Sequence, residues 1–175
     1  YRDLVAYAQQ RGVTIVPEID TPGHTNAALN AEPELTCDGV APDVYTGTQV
    51  GFSSLCIGKE STYAWFDDVV GELAEMTPGQ WIHLGGDESH STSDADYRAF
   101  VTRAAAIVTD HGKMPVGWEE IGAADLPDGA VAQHWLHVEP TIAAAGQGAS
   151  IVMSPSSKVY LDMKHVEGGP GNVWA

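Results

Sequence analysis

Trp81-Ile82-His83-Leu84-Gly85-Gly86-Asp87-Glu88-Ser89-His90 is the stretch on which the reading of this chain turns. A short apolar run with the look of a buried strand ends in two glycines, and two carboxylates follow at once. Adjacent residues of a regular strand point to opposite faces. Asp87 and Glu88 can share one pocket only if the backbone leaves strand geometry, and Gly85-Gly86 permits that. Two carboxyls held together perturb each other, so that one ionises and the other keeps its proton. An anion beside a neutral acid is what general acid catalysis requires. The competing reading of the same four residues is a plain turn with solvated acids.

Outward from this stretch, short apolar runs alternate with helical patterns. Arg2 to Gln10 carries Leu4, Val5 and Ala8 at helical spacing, and Gly12 stops it. Val13-Thr14-Ile15-Val16 is β-branched and predicts a buried strand ended by Pro17. Residues 25–60 show little period beyond a short helix at Asn26 to Asn30, so a long loop is expected there. Ser61 is expected to cap a helix presenting Trp65, Phe66, Val69, Val70, Leu73 and Met76. Ser93 is expected to cap another, Asp94 to Asp110, burying Tyr97, Phe100, Val101, Ala104 and Val108. Met114 to Trp118, Ala130 to Trp135 and Ser150 to Met153 predict three more strands, with a short helix at Pro140 to Ala145 and an irregular tail after Tyr160.

Continuous apolar strands alternating with helices are the pattern of a parallel sheet covered by helices, an α/β fold. Two architectures compete: an open doubly wound sheet and a (β/α)₈ barrel. No GxGxxG or GxxxxGK[ST] follows any strand, which weakens a nucleotide-binding sheet. The distinctive polar and aromatic residues fall just after strand ends, where a barrel carries its active site. Five strands in 175 residues cannot close an eight-stranded barrel, so the expectation is a partial barrel. Tyr1 begins in what reads as mid-helix, which also suggests a piece of something longer.

The net charge of −16 disfavours nucleic acid, anionic membranes and polyanionic substrates, and tolerates a neutral ligand. No apolar run approaches the ~20 residues of a membrane-spanning helix. Cys37 and Cys56 share the long loop without a CxxC or paired histidines, so a disulfide fits better than zinc. Two free buried thiols remain the alternative. His83, Asp87, Glu88 and His90 do not follow HExxH or a Cys/His zinc pattern, so no metal is expected there.

PEIDTPGH (17–24), HLGGDESH (83–90), VGWEE (116–120), QHW (133–135) and VYLDM (159–163), in this order and spacing, resemble glycoside hydrolase family 20, the β-N-acetylhexosaminidases. The resemblance runs across essentially the whole chain. It implies the central part of a catalytic (β/α)₈ barrel, about strands 3 to 7, with residues 1–175 a single fragment of that domain. It also implies an exo-acting retaining enzyme that releases terminal β-linked N-acetylglucosamine or N-acetylgalactosamine. The sugar's own 2-acetamido oxygen would attack the anomeric carbon, giving an oxazolinium-type intermediate, in contrast to the usual carboxylate nucleophile.

Carried over by resemblance, Glu88 is the acid that protonates the leaving oxygen and then the base on water. Asp87 orients the acetamido N–H. Tyr160 donates its hydroxyl hydrogen to the acetamido oxygen. His24 contacts the acid/base, and Asp162 binds a sugar hydroxyl. Trp118 and Trp135 wall the acetamido pocket, and Trp174 stacks on the next sugar. Glu18 and Asp20 are given supporting roles. The resemblance calls for no cofactor and no metal. N-acetylhexosamine-containing oligosaccharides or glycoconjugates are the expected partners. Together with the cysteine pair it implies a secreted or extracytoplasmic protein. The rival readings are a non-catalytic sugar-binding module on the same scaffold and a fragment with no independent function.

Overall fold

The computed structural model describes residues 1–174. In chain order the regular elements are α1 (Arg2–Gln9), β1 (Glu18–Thr21), α2 (Asn26–Ala31), α3 (Glu60–Met76), β2 (Trp81–Gly85), α4 (Asp94–Asp110), β3 (Met114–Trp118), β4 (Val131–His134), α5 (Val138–Gly146), β5 (Ser150–Met153) and α6 (Ser156–Val159). Two 3₁₀ turns, Pro33–Leu35 and Glu119–Ala123, complete them.

The strands form one parallel sheet in the order β1-β2-β3-β4-β5. Each new strand joins the same growing edge. A doubly wound sheet reverses direction at a switch point, and no reversal occurs here. With right-handed crossovers, one-directional growth puts every crossover helix on one face. That face holds the core: Ile82, Leu84 and Ala132 pack with Phe66, Val70, Phe100, Val101, Ala104 and Val108 of α3 and α4. The opposite face carries Glu18, His83 and Val116 in one row and Trp118, Gln133 and Val152 in the next.

Two local expectations differ from the structure. Val13–Val16 forms no ladder, and Val13 and Val16 are exposed. The register explains part of this: Glu18 stands opposite His83, so Val13 and Thr14 would face the Pro78-Gly79 turn that precedes β2, and only Val16 would stand opposite a β2 residue, Trp81. The first bond runs from the His83 N–H to the Pro17 carbonyl, 2.8 Å. Ser61 does not cap α3, which begins at Glu60 with no side-chain cap. The tail after Tyr160 is irregular, as expected, and α6 ends just before it. Ser93 does cap α4: its Oγ accepts from the Asp96 N–H at 3.2 Å, and its hydroxyl donates to the Asp96 carboxylate at 2.7 Å.

Cys37 and Cys56 form a disulfide that closes the long loop. The loop is ordered by further bonds. The Tyr45 N–H donates to Asn26 Oδ1 at 2.8 Å, Asn30 donates to the Pro42 carbonyl at 2.8 Å, and Tyr45 meets Phe52 edge-on at 4.6 Å between ring centroids. No helix among the described residues is long and apolar enough to cross a membrane.

Candidate active site

The site lies beyond the carboxyl ends of β1 to β5, and the turn after β2 is its centre. Between Glu18 and Thr21, β1 advances three residues while β2 advances two, a bulge beside Leu84. A bulge re-aims a side chain, and here it brings Asp20 against the glycine turn. Gly85 has φ 78° and a Cβ at that position would collide with Asp20. Asp20 Oδ1 accepts from the Gly86 N–H at 3.3 Å, and the Gly86 carbonyl accepts from the buried Tyr97 hydroxyl at 2.6 Å. The Gly85 N–H donates to His83 Nδ1 at 3.0 Å. The Gly23 N–H donates to Ser89 Oγ at 3.1 Å.

Within this frame Asp87 and Glu88 leave strand geometry together, Glu88 at φ +48°. His24, at φ +55°, sets its Nε2 3.3 Å from Asp87 Oδ2, 3.3 Å from Glu88 Oε2 and 4.0 Å from Asp20 Oδ2. Non-glycine residues in this left-handed region cost of order 1–3 kcal/mol each and persist where surroundings over-determine them.

The electrostatics follow from burial and crowding of like charge. Asp20 is pushed up to about 8, first by burial and then by the Asp87 charge beside it. Glu120 is pushed up to about 7, again chiefly by burial. Burial also raises Glu18, partly offset by the Trp118 indole N–H that donates to its Oε1 at 3.0 Å. His83 is lowered to about 4 by burial, so it is neutral near pH 7. Its Nδ1 accepts from Gly85, which puts the ring proton on Nε2. Burial raises the Tyr160 hydroxyl above its ordinary value, with the nearby Asp87 charge adding in the same direction.

A cleft of about 600 Å³ opens over these groups, lined by Asp87, Glu88, Trp118, Trp135, Tyr160 and Trp174, with Thr48, Val50 and Leu136. Its aromatic wall is continuous and each contact is edge-on. Trp118 and Trp135 centroids lie 6.2 Å apart, Trp135 and Trp174 5.9 Å, and Trp174 and Tyr160 5.7 Å. Asp87 Oδ1 is buried in the protein with no hydrogen-bond partner, as is His83 Nε2. A buried acceptor of this kind is costly unless something donates to it.

The sequence-predicted residues Asp87, Glu88, Trp118, Trp135, Tyr160 and Trp174 therefore meet at one cleft, with His24 touching both acids. Asp162 does not line the cleft. It is exposed, and its Oδ2 accepts from Asn172 Nδ2 at 2.9 Å. Thr48, Val50 and Leu136 were not legible as site residues, because nothing in a loop's composition tells which of its residues turns inward. Glu119 and Glu120 were visible in VGWEE without a role. Among the described residues, Asp20, His24 and Asp87 bring one donor atom each within 4.8 Å of one another, a spacing that could hold a cation. Asp20 is also drawn toward its neutral form there, which weakens it as a ligand.

Known proteins are similar to this chain in sequence and in structure. A β-N-acetylhexosaminidase of Cellulomonas fimi is 45% identical over 166 residues, 93% of this chain and 34% of its own. The structure of a family 20 β-N-acetylhexosaminidase from Streptomyces coelicolor A3(2) superposes with a TM-score of 0.95 at 48% identity, over 100% of this chain and 37% of that one. A variant β-hexosaminidase of Streptomyces plicatus, solved with its product N-acetylglucosamine, gives 0.93 at 46%, over 100% and 37%. The chain thus spans about a third of the length of these relatives. Its five parallel strands are part of a (β/α)₈ barrel. Residues 1–174 match the catalytic-domain model of glycosyl hydrolase family 20, and the chain belongs to that family.

Proposed function

We propose that residues 1–175 are the acid-bearing part of the catalytic barrel of an exo-acting, retaining β-N-acetylhexosaminidase. The observation that carries this reading is the cleft itself, where Asp87 and Glu88 stand beside a wall of Trp118, Trp135 and Tyr160. A carboxylate there can accept an acetamido N–H, and apolar ring faces suit the C–H surface of a pyranose and its N-acetyl methyl.

In this reading Asp87 holds the acetamido N–H and balances the positive charge that grows as the acetamido oxygen attacks the anomeric carbon. The Tyr160 hydroxyl donates to that oxygen. Glu88 protonates the leaving oxygen and then takes a proton from the incoming water. His24 holds Glu88 and Asp87 in register. Asp162, with one carboxylate oxygen taken by Asn172, offers the other to a ring hydroxyl. Trp174, about half exposed, stacks on the next sugar. The substrates are N-acetylhexosamine-containing oligosaccharides or glycoconjugates, and the Cys37–Cys56 disulfide supports an oxidising compartment outside the cytoplasm. That the S. plicatus relative was solved with N-acetylglucosamine supports the same sugar class.

A thiazoline that mimics the cyclised acetamido group tests the reading. It should inhibit the intact enzyme with an inhibition constant at least ~10²-fold below KM, as intermediate mimics do. An enzyme that turns over an aryl N-acetylglucosaminide yet ignores the thiazoline uses a different nucleophile. Thiazoline binding with no turnover on the aryl glycoside favours a binding module.

A further inference from the structure

Trp118 is followed by two glutamates, and both reach across to Trp135. Glu119 is fully buried. Its carboxylate accepts three successive backbone N–H groups. Oε2 takes Trp135, and Oε1 takes His137 and, at 2.9 Å, Leu136. His134 Nδ1 stands 3.7 Å from Oε2. These donors lie just ahead of α5, whose amino-terminal dipole favours an anion. Glu120 holds the other end of the same residue: its two oxygens lie 3.3 and 3.2 Å from the Trp135 indole Nε1. The 3₁₀ turn carrying both glutamates is itself pressed against α5, since a Cβ at Gly122 would collide with the Pro140 carbonyl.

We propose that Glu119 is a positioning residue for the sugar pocket, fixing Trp135 and Leu136 at the cleft by gripping their backbone, while Glu120 sets the rotation of the Trp135 indole. The proposal rests on the reading that this cleft holds an N-acetylated pyranose. The chemistry behind it is specific. Three converging N–H donors accept only an oxygen. Glutamine at position 119 keeps the shape of the side chain but turns an NH₂ toward donors. Aspartate keeps both oxygens and is one methylene too short to reach all three. Tying Trp135 to the residue next to Trp118 makes the two walls one unit, so a shift at Glu119 opens the pocket without touching Asp87 or Glu88.

The test uses the intact enzyme labelled with 5-fluorotryptophan, the Trp135 resonance being assigned by its loss in Trp135→Phe. Glu119→Asp and Glu119→Gln should each move the Trp135 fluorine resonance. They should lower kcat/KM on an aryl N-acetylglucosaminide by about 100-fold, the penalty for a misplacement near 1 Å. Glu119→Asp, which keeps the carboxylate, decides the matter where Glu119→Gln does not fold. In the Trp135→Ala background the same Glu119→Asp change should cost less than about threefold, because it acts through a ring no longer there. A folded Glu119→Asp with an unmoved Trp135 resonance overturns the proposal, and so do losses that multiply fully in the double variant. If the unaltered enzyme neither binds nor hydrolyses the sugar, the functional reading falls, and the fluorine shift alone still decides whether Glu119 positions Trp135.

Discussion

His24 Nε2 lies 3.3 Å from Glu88 Oε2, and these two are the non-glycine residues with positive φ among the described residues. The loop after β1 and the turn after β2 are both strained where they meet. Each strained residue points its side chain at the other, and Asp87 shares the same imidazole nitrogen. Backbone strain at a point of contact between two polar side chains marks a site held in place by its surroundings. His24→Ala should therefore lower kcat far more than it changes KM, by about 10–100-fold. A raised KM with kcat unchanged would mean that His24 serves binding alone.

Glu88 and Asp87 separate by leaving group. Glu88→Gln removes the proton donor, which contributes ~10²–10⁴ in rate. The loss should shrink as the leaving group improves, from an alkyl glycoside to nitrophenol. Asp87→Asn should slow every substrate by a similar factor, because Asp87 acts on the attacking acetamido group and not on the leaving oxygen, whose bond to the anomeric carbon breaks in the same step. Initial rates over a graded set of aryl glycosides check both. A Glu88→Gln loss independent of leaving group contradicts the acid assignment.

Stability should depend on pH through Asp20. Its carboxyl keeps a proton up to about 8 in the fold, against 3.8 in the open chain. The folded state therefore binds the proton more tightly. Stability from this group is complete below about 4, falls as pH rises through the window, and is lost above about 8, with a slope approaching 1.4 kcal/mol per pH unit. Glu120 adds the same sign up to about 7. Asp20→Asn should flatten a plot of Tm against pH and gain on the unaltered protein at alkaline pH. Superimposable plots would remove Asp20 as the cause.

The Cys37–Cys56 disulfide closes a loop with a sequence separation of 19, and that loop brings Thr48 and Val50 to the cleft. The chain-entropy model gives roughly 3 kcal/mol for such a closure. Replacing both cysteines by serine should lower Tm and raise KM while leaving kcat less affected, since the acids stand on other elements. Unchanged KM would show that the loop is not part of the sugar's enclosure.

The sheet also makes a prediction about residues 1–175 expressed alone. β1 and β5 each have one unpaired edge, and Met153 and Leu161 are 65% and 89% exposed. Open parallel edges with apolar neighbours pair with other chains. Sedimentation should show concentration-dependent association and assays little turnover. A monomeric chain with full activity would contradict this.

Much of this was legible in the residues. The helices α3 and α4 announce themselves through apolar spacing, and Gly85-Gly86 ahead of two acids marks the turn. Cys37 and Cys56, with no zinc pattern nearby, favoured a disulfide over a metal site but left two free thiols open until the structure joined them. Val13–Val16 misled because β-branching reports fitness for a pleated surface, whereas ladder formation depends on what stands opposite, for Val13 and Thr14 a Pro-Gly turn. Asp20's approach to Asp87 depends on a bulge, and a bulge leaves no mark in a four-residue strand. Glu119 looks like any surface glutamate until three N–H groups from beyond β4 are seen to converge on it.

The central claim is that the substrate's own acetamido oxygen is the nucleophile. Its most direct test is kcat/KM on nitrophenyl glycosides whose N-acetyl methyl carries progressively more fluorine, measured on the intact enzyme. Fluorine withdraws electrons from the amide oxygen and barely alters the leaving group. The account predicts a steep, monotonic fall in kcat/KM with each added fluorine. A flat series would contradict it and leave a protein carboxylate as the attacking group.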